Sequence, residues 1–214
     1  SVPRTLTDMT VEQIQLMNST NYLGAVYTVQ AFLKHISRGT IVLTSSAGGQ
    51  VGIYGLGPYS ATKFALRGFA ESLHMELLDR PIHVQVAYPP DTDTPGFAEE
   101  NKGKPKACAL MSETAGLFQP EAVGKRMVME AIKANPPFGV WFGLDGWMLS
   151  TLTAGMSPVS STIGALCQVS LMGLLRLVSL FYLNDFWNIV VKCHQHPETP
   201  PSVAATATNP IQEA

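Results

Sequence analysis

Thr40-Ile41-Val42-Leu43-Thr44 is a short apolar β-run that leads straight into Ser45-Ser46, a loop punctuated by Gly48, Gly49, Gly52, Gly55 and Gly57, and then a helix-forming stretch rich in Ala, Leu and Phe. Strand, loop and helix in that order are the repeating unit of a parallel α/β sheet. The unit recurs. Residues 83–88 alternate as a strand between Pro81 and the double proline Pro89-Pro90, and 120–134 read as a helix ended by Asn135-Pro136-Pro137. Residues 138–142 read as a last strand. Ahead of the first strand, 8–35 read as one helix, with Asp8 or Thr10 as its N-cap and Glu12 and Gln13 in its first turn.

The helix expected over 58–79 carries Tyr59 and Lys63, four residues apart and so on one face. A free phenol, with a pKa of about 10, is a poor proton-transfer group at neutral pH. The Lys63 ammonium beside Tyr59 is expected to lower that pKa and make the phenol a usable acid or base for a hydroxyl/carbonyl couple. Ser46, thirteen residues earlier, can hydrogen-bond the same substrate oxygen. Strand ends in open α/β sheets are where ligands bind, so 89–118 make a candidate substrate lid with Pro95-Gly96 as hinge. Within it, Asp91 and Asp93 either bind a substrate ammonium or cap the turn, capping being the favoured reading.

Asn21, Ser46, Tyr59 and Lys63, in this order and in this strand-loop-helix setting, resemble the short-chain dehydrogenase/reductase family. The family fold implied is α/β, here the C-terminal part of a Rossmann-type doubly wound parallel sheet. The resemblance implies catalytic roles for Asn21, Ser46, Tyr59 and Lys63. Asn21 would distort its helix and order a proton relay, and Ser45 is a less favoured alternative to Ser46. It also implies cofactor contacts from Tyr59, Lys63 and Thr92. Tyr88-Pro89-Pro90-Asp91-Thr92-Asp93-Thr94-Pro95-Gly96-Phe97, with later stretches at Asp145–Ser150, Gly155–Val159 and Leu180–Leu183, is similar to the 3-ketodihydrosphingosine reductase branch. That branch implies NADPH-dependent reduction of a long-chain 3-keto-amino-alcohol, at the endoplasmic reticulum membrane with the catalytic domain facing the cytosol. A related steroid or retinol reductase is the alternative within the family, and a homo-oligomer stays open.

A Rossmann unit needs a Gly-rich turn after its first strand, where helix N-terminal amides meet a pyrophosphate. No such turn precedes Asn21, and the glycines at 48–57 occupy the active-site loop instead. The expectation is a truncated chain with an exposed strand edge near 40–45, an association hazard. A non-catalytic, membrane-associated fragment unable to hold NADPH is the rival expectation.

Composition narrows the partners. Fourteen Lys+Arg against sixteen Asp+Glu give a net charge of −2, with no basic surface for nucleic acid. Cys108, Cys167 and Cys193 are too few and too scattered for a disulfide framework or a zinc site, and Cys193-His194-Gln195-His196 lacks a second half, so no metal is expected. Asn18-Ser19-Thr20 matches a glycosylation sequon by chance, on the helix that carries Asn21. The expected division is a catalytic domain over 1–143, a membrane-associated helical segment over 144–192, and a disordered tail over 193–214. Residues 164–183 hold one charge, Arg176, and are long enough to cross a bilayer core of ~30 Å at 1.5 Å per residue. A charge at mid-span costs about 2.5–3.5 kcal/mol, which favours membrane lipid contact by a hairpin or an interfacial helix with Arg176 snorkelling.

Overall fold

The computed structural model describes residues 1–114 and 116–195. After a single turn at Leu6–Asp8, α1 (Val11–Met17) opens on Thr10, whose side chain accepts from the Gln13 amide while the Gln13 side chain accepts from the Thr10 amide. This reciprocal capping box satisfies two of the donors that a helix start leaves unpaired. The helix does not run on unbroken as its sequence suggests. It widens into a π segment at Asn18–Leu23 before resuming as α2 (Gly24–Leu33). Such widened turns add a residue to the helix and recur at functional sites.

β1 (Gly39–Thr44) follows, then a single turn at Ala47–Gly49, then α3 (Gly57–Glu76) and β2 (Ile82–Ala87). β1 and β2 pair in parallel from Gly39↔Ile82 to Thr44↔Ala87. Beyond β2 come α4 (Pro95–Asn101), α5 (Lys106–Glu113), α6 (Pro120–Ala131) and β3 (Gly139–Val140). β3 joins β2 in parallel through Val86↔Gly139 and Ala87↔Val140, giving the strand order β1-β2-β3. β3 is shorter than the sequence suggests, because only two of its residues find a partner strand.

Side chains alternate across this sheet and so build two apolar layers. On one side Leu43, Val84, Val86 and Tyr88 pack with Ala70, Leu73 and Leu77 of the α3 region and Val29 of α2. On the other, Val42, Ala87, Val140 and Phe142 pack with Val123 of α6. β2 is therefore covered on both faces, as central parallel strands are. Its apparent alternation misleads: Gln85, the polar residue of the pattern, is fully buried and donates to the Pro137 carbonyl at 3.0 Å.

The chain ends in α7 (Gly143–Leu152) and α8 (Thr162–Gln195). α7 is bound to the sheet domain. Arg67 of α3 donates to the Thr153 and Ala154 carbonyls at 2.6 Å each, meeting the negative end of α7 with a cation. Gln50 donates to Ser150 at 2.8 Å. The boundary expected at 143 is thus no break in packing. α8 is one continuous helix of 34 residues, not a hairpin, and it extends to Gln195, into the stretch expected as tail. The rest of that tail lies outside the described residues.

Candidate active site

Ser46 stands just past the carboxyl end of β1, where the parallel strands point their chain ends at a common edge. The loop after it lies flat on α3. A Cβ on Gly49 would fall 2.3 Å from Ser45 Oγ and 2.9 Å from the Lys63 carbonyl oxygen, so only glycine allows this approach. Ser45 is buried and its hydroxyl donates to that same Lys63 carbonyl at 2.9 Å. The two serines are thereby separated: Ser45 fastens the loop, and Ser46 borders the cavity with Tyr59.

Burial of the Tyr59 ring pushes the phenol's pKa up, and the nearby Ser46 hydroxyl offsets only part of that rise. Glu100 and Asp91 add to the rise. The expected lowering by Lys63 is not found. Lys63 Nζ lies 5.7 Å from the Tyr59 ring centre and donates instead to the Thr44 carbonyl at 2.9 Å. Its own pKa is drawn down by burial. Sharing a helical face brought the two side chains together, while desolvation and two carboxylates from a distant segment decided the electrostatics.

Asn21, on the π segment, reaches the same turn of α3 by another route. Its amide nitrogen donates to Thr62 Oγ1 at 3.1 Å, and Thr62 donates to the Tyr59 carbonyl at 2.7 Å. Thr92 is farther along the chain and its hydroxyl donates to the Pro90 carbonyl at 2.9 Å. α4 is capped by Thr94, whose hydroxyl accepts from Phe97 N at 3.2 Å, and Pro95, expected at a hinge, opens the helix. The Asp91 carboxyl borders the cavity, and burial raises its pKa.

That cavity measures about 530 Å³ and runs from Ser46 and Tyr59 to an apolar wall made by α7 and α8. Leu149 and Leu152 come from α7; Leu175, Tyr182 and Phe186 come from α8. Arg176 is exposed, borders the cavity as well and donates to Ser179 at 3.3 Å. The part played by α8 was missed in the sequence, although a signal existed. Leu175, Val178, Ser179, Tyr182 and Phe186 recur at three- and four-residue spacing, one stripe of a helix.

Residues 1–105 match the family described as short chain dehydrogenase. A 3-dehydrosphinganine reductase of Danio rerio is 50% identical over 189 residues, covering 87% of this chain and 56% of the relative. The chain belongs to the short-chain dehydrogenase family. A 3-ketodihydrosphingosine reductase of Mus musculus is 47% identical over 203 residues, covering 94% of this chain and 60% of the relative. The chain thus spans somewhat over half the length of the curated relatives it matches. The solved structure of ElxO with NADP bound shares the fold, with a TM-score of 0.56 at 24% identity over 65% of this chain and 60% of that one. The architecture is accordingly a Rossmann-like α/β fold with a parallel sheet and one long apolar C-terminal helix.

Proposed function

We propose that this chain carries the catalytic centre of an NADPH-dependent reductase that converts a long-chain 3-keto-amino-alcohol, 3-ketosphinganine, to sphinganine. The observation that carries the reading is the shared cavity: a phenol and a serine hydroxyl border the same end of an apolar space. The names borne by the relatives from Danio rerio and Mus musculus support the substrate class.

Tyr59 donates its proton to the ketone oxygen, and Ser46 holds that oxygen by a second hydrogen bond. A phenol whose pKa is raised stays protonated at neutral pH, which suits the reducing direction. Lys63 and Tyr59, a cation and a hydroxyl at the carboxyl edge of the sheet, form a donor set that fits a ribose and would hold the nicotinamide end of the cofactor. NADPH, when bound, supplies hydride to the carbonyl carbon. Thr92 would contact the cofactor through its backbone, since its hydroxyl already serves Pro90. Asn21 positions the reacting turn through Thr62. The apolar length of α8 fits membrane association, and the site of action we infer is the endoplasmic reticulum membrane, with the catalytic domain on the cytosolic side.

The test uses full-length protein containing this chain, with NADPH oxidation followed on 3-ketosphinganine. Tyr59→Phe should lower kcat by about 10²–10⁴-fold, the usual worth of a positioned acid, with circular dichroism unchanged. Turnover near wild type in Tyr59→Phe would remove Tyr59 as the acid.

A further inference from the structure

α8 has the composition of a lipid-facing segment, yet one of its faces is turned to the catalytic cavity. Leu175, Val178, Ser179, Tyr182 and Phe186 all border the space that holds Tyr59 and Ser46. Three contacts keep the helix there. It packs against α7 and α5, Leu175 is buried, and its far end is tied to the active-site loop, where Tyr54 Oη and His194 Nε2 lie 3.1 Å apart with their rings edge to face. Leu174, Leu177 and Phe181 point away and are exposed.

We propose that the inward stripe of α8 is the wall against which the substrate's alkyl chain lies while its ketone sits at Tyr59, so that α8 sets chain-length preference. The proposal rests on the keto-lipid reading above and names the subsite it requires. From Leu175 to Phe186 the helix runs about 16 Å at 1.5 Å per residue, the depth of one leaflet of a ~30 Å bilayer core and so the length of one long alkyl chain. The opposing surface is apolar too, from Leu149 and Leu152. A volume of about 530 Å³ falls within the range of sites that enclose a small ligand.

The experiment compares kcat/KM of the full-length protein on two 3-keto-amino-alcohols, one short-chain and water-soluble, one with the long chain of 3-ketosphinganine. Ser179→Trp fills the space beside the wall. It should lower kcat/KM for the long chain about tenfold or more, the worth of roughly two buried methylenes, and change the short chain by less than about twofold. Tyr182→Ala removes wall surface and should raise KM for the long chain selectively. Leu177→Ala, on the outer face, should alter neither. Short-chain turnover reports folding in every variant. If wild type reduces both ketones and the two inward variants lose both alike, or lose neither, the subsite is overturned while the reductase reading stands. If wild type reduces neither ketone, both fall together.

Discussion

α3 and α8 border the same cavity but hold their places by opposite means. α3, 20 residues long, buries Ser60, Leu66, Ala70 and Leu73 along one side. Of these, Ala70 and Leu73 lie against Leu43, Val84 and Val86 of the sheet, so the helix's orientation is set by interlocking side chains. Tyr59 and Lys63 inherit their positions from it. α8 is longer and more apolar, yet among the described residues it buries only Leu175. Its placement comes from a few contacts at particular points: its packing on α7, which Arg67 clamps to α3, and the Tyr54–His194 pair near its end. The contrast shows that apolar content creates a demand for cover, whereas periodicity chooses the partner.

Truncating each helix at a matched position breaks or sharpens the contrast. Leu66 is 2% exposed, and Leu66→Ala should cost about 2–5 kcal/mol of unfolding free energy in denaturant titration, through lost burial and the cavity left behind. A cost below about 1 kcal/mol would mean that the buried side of α3 is not close-packed as described.

A smaller effect probes the sheet side by pH. Burial pushes the Tyr88 phenol up to about 12, while in the unfolded chain it titrates near its ordinary value of 10.0. Between these values the unfolded state has lost the proton and the folded state retains it, so stability falls as pH rises. The contribution is fully present below pH 10 and gone above about 12, on the order of 2–3 kcal/mol. Tyr88→Phe should flatten that part of the profile. An unchanged alkaline slope would show that the ring is more hydrated than its burial implies.

The smallest expected effect is on α8. Leu177 is 55% exposed, and Leu177→Ala should change stability by no more than about 0.5 kcal/mol, while weakening co-sedimentation with phospholipid vesicles. If it cost as much as Leu66→Ala, α8 would be a core helix and the contrast would collapse.

Much of the catalytic half was legible in the residues. β1, the glycine loop and α3 follow from local propensity and period, whereas the choice of Thr10 over Asp8 as N-cap came from its bond with Gln13. The break in the first helix was not legible as a distinct element, because a π turn is one residue's difference in hydrogen bonding and leaves no hydrophobic period of its own. Which way Asp91 faces was not legible, because only the fold brings its segment to the cavity beside Ser46 and Tyr59.

By itself the sequence determined the strand-loop-helix units, the order Asn21, Ser46, Tyr59, Lys63, and the apolar length of α8, since all of these depend on neighbours a few residues apart. Only the tertiary structure decided which way the Tyr59 pKa moves and which face of α8 meets the cleft. A pKa sums burial and charge over everything nearby in space, and here Glu100 and Asp91 arrive from beyond β2. The face of a nearly uniform apolar helix is chosen by what it is tied to, and Arg67 and Tyr54 lie about a hundred residues or more before the helix they help to hold.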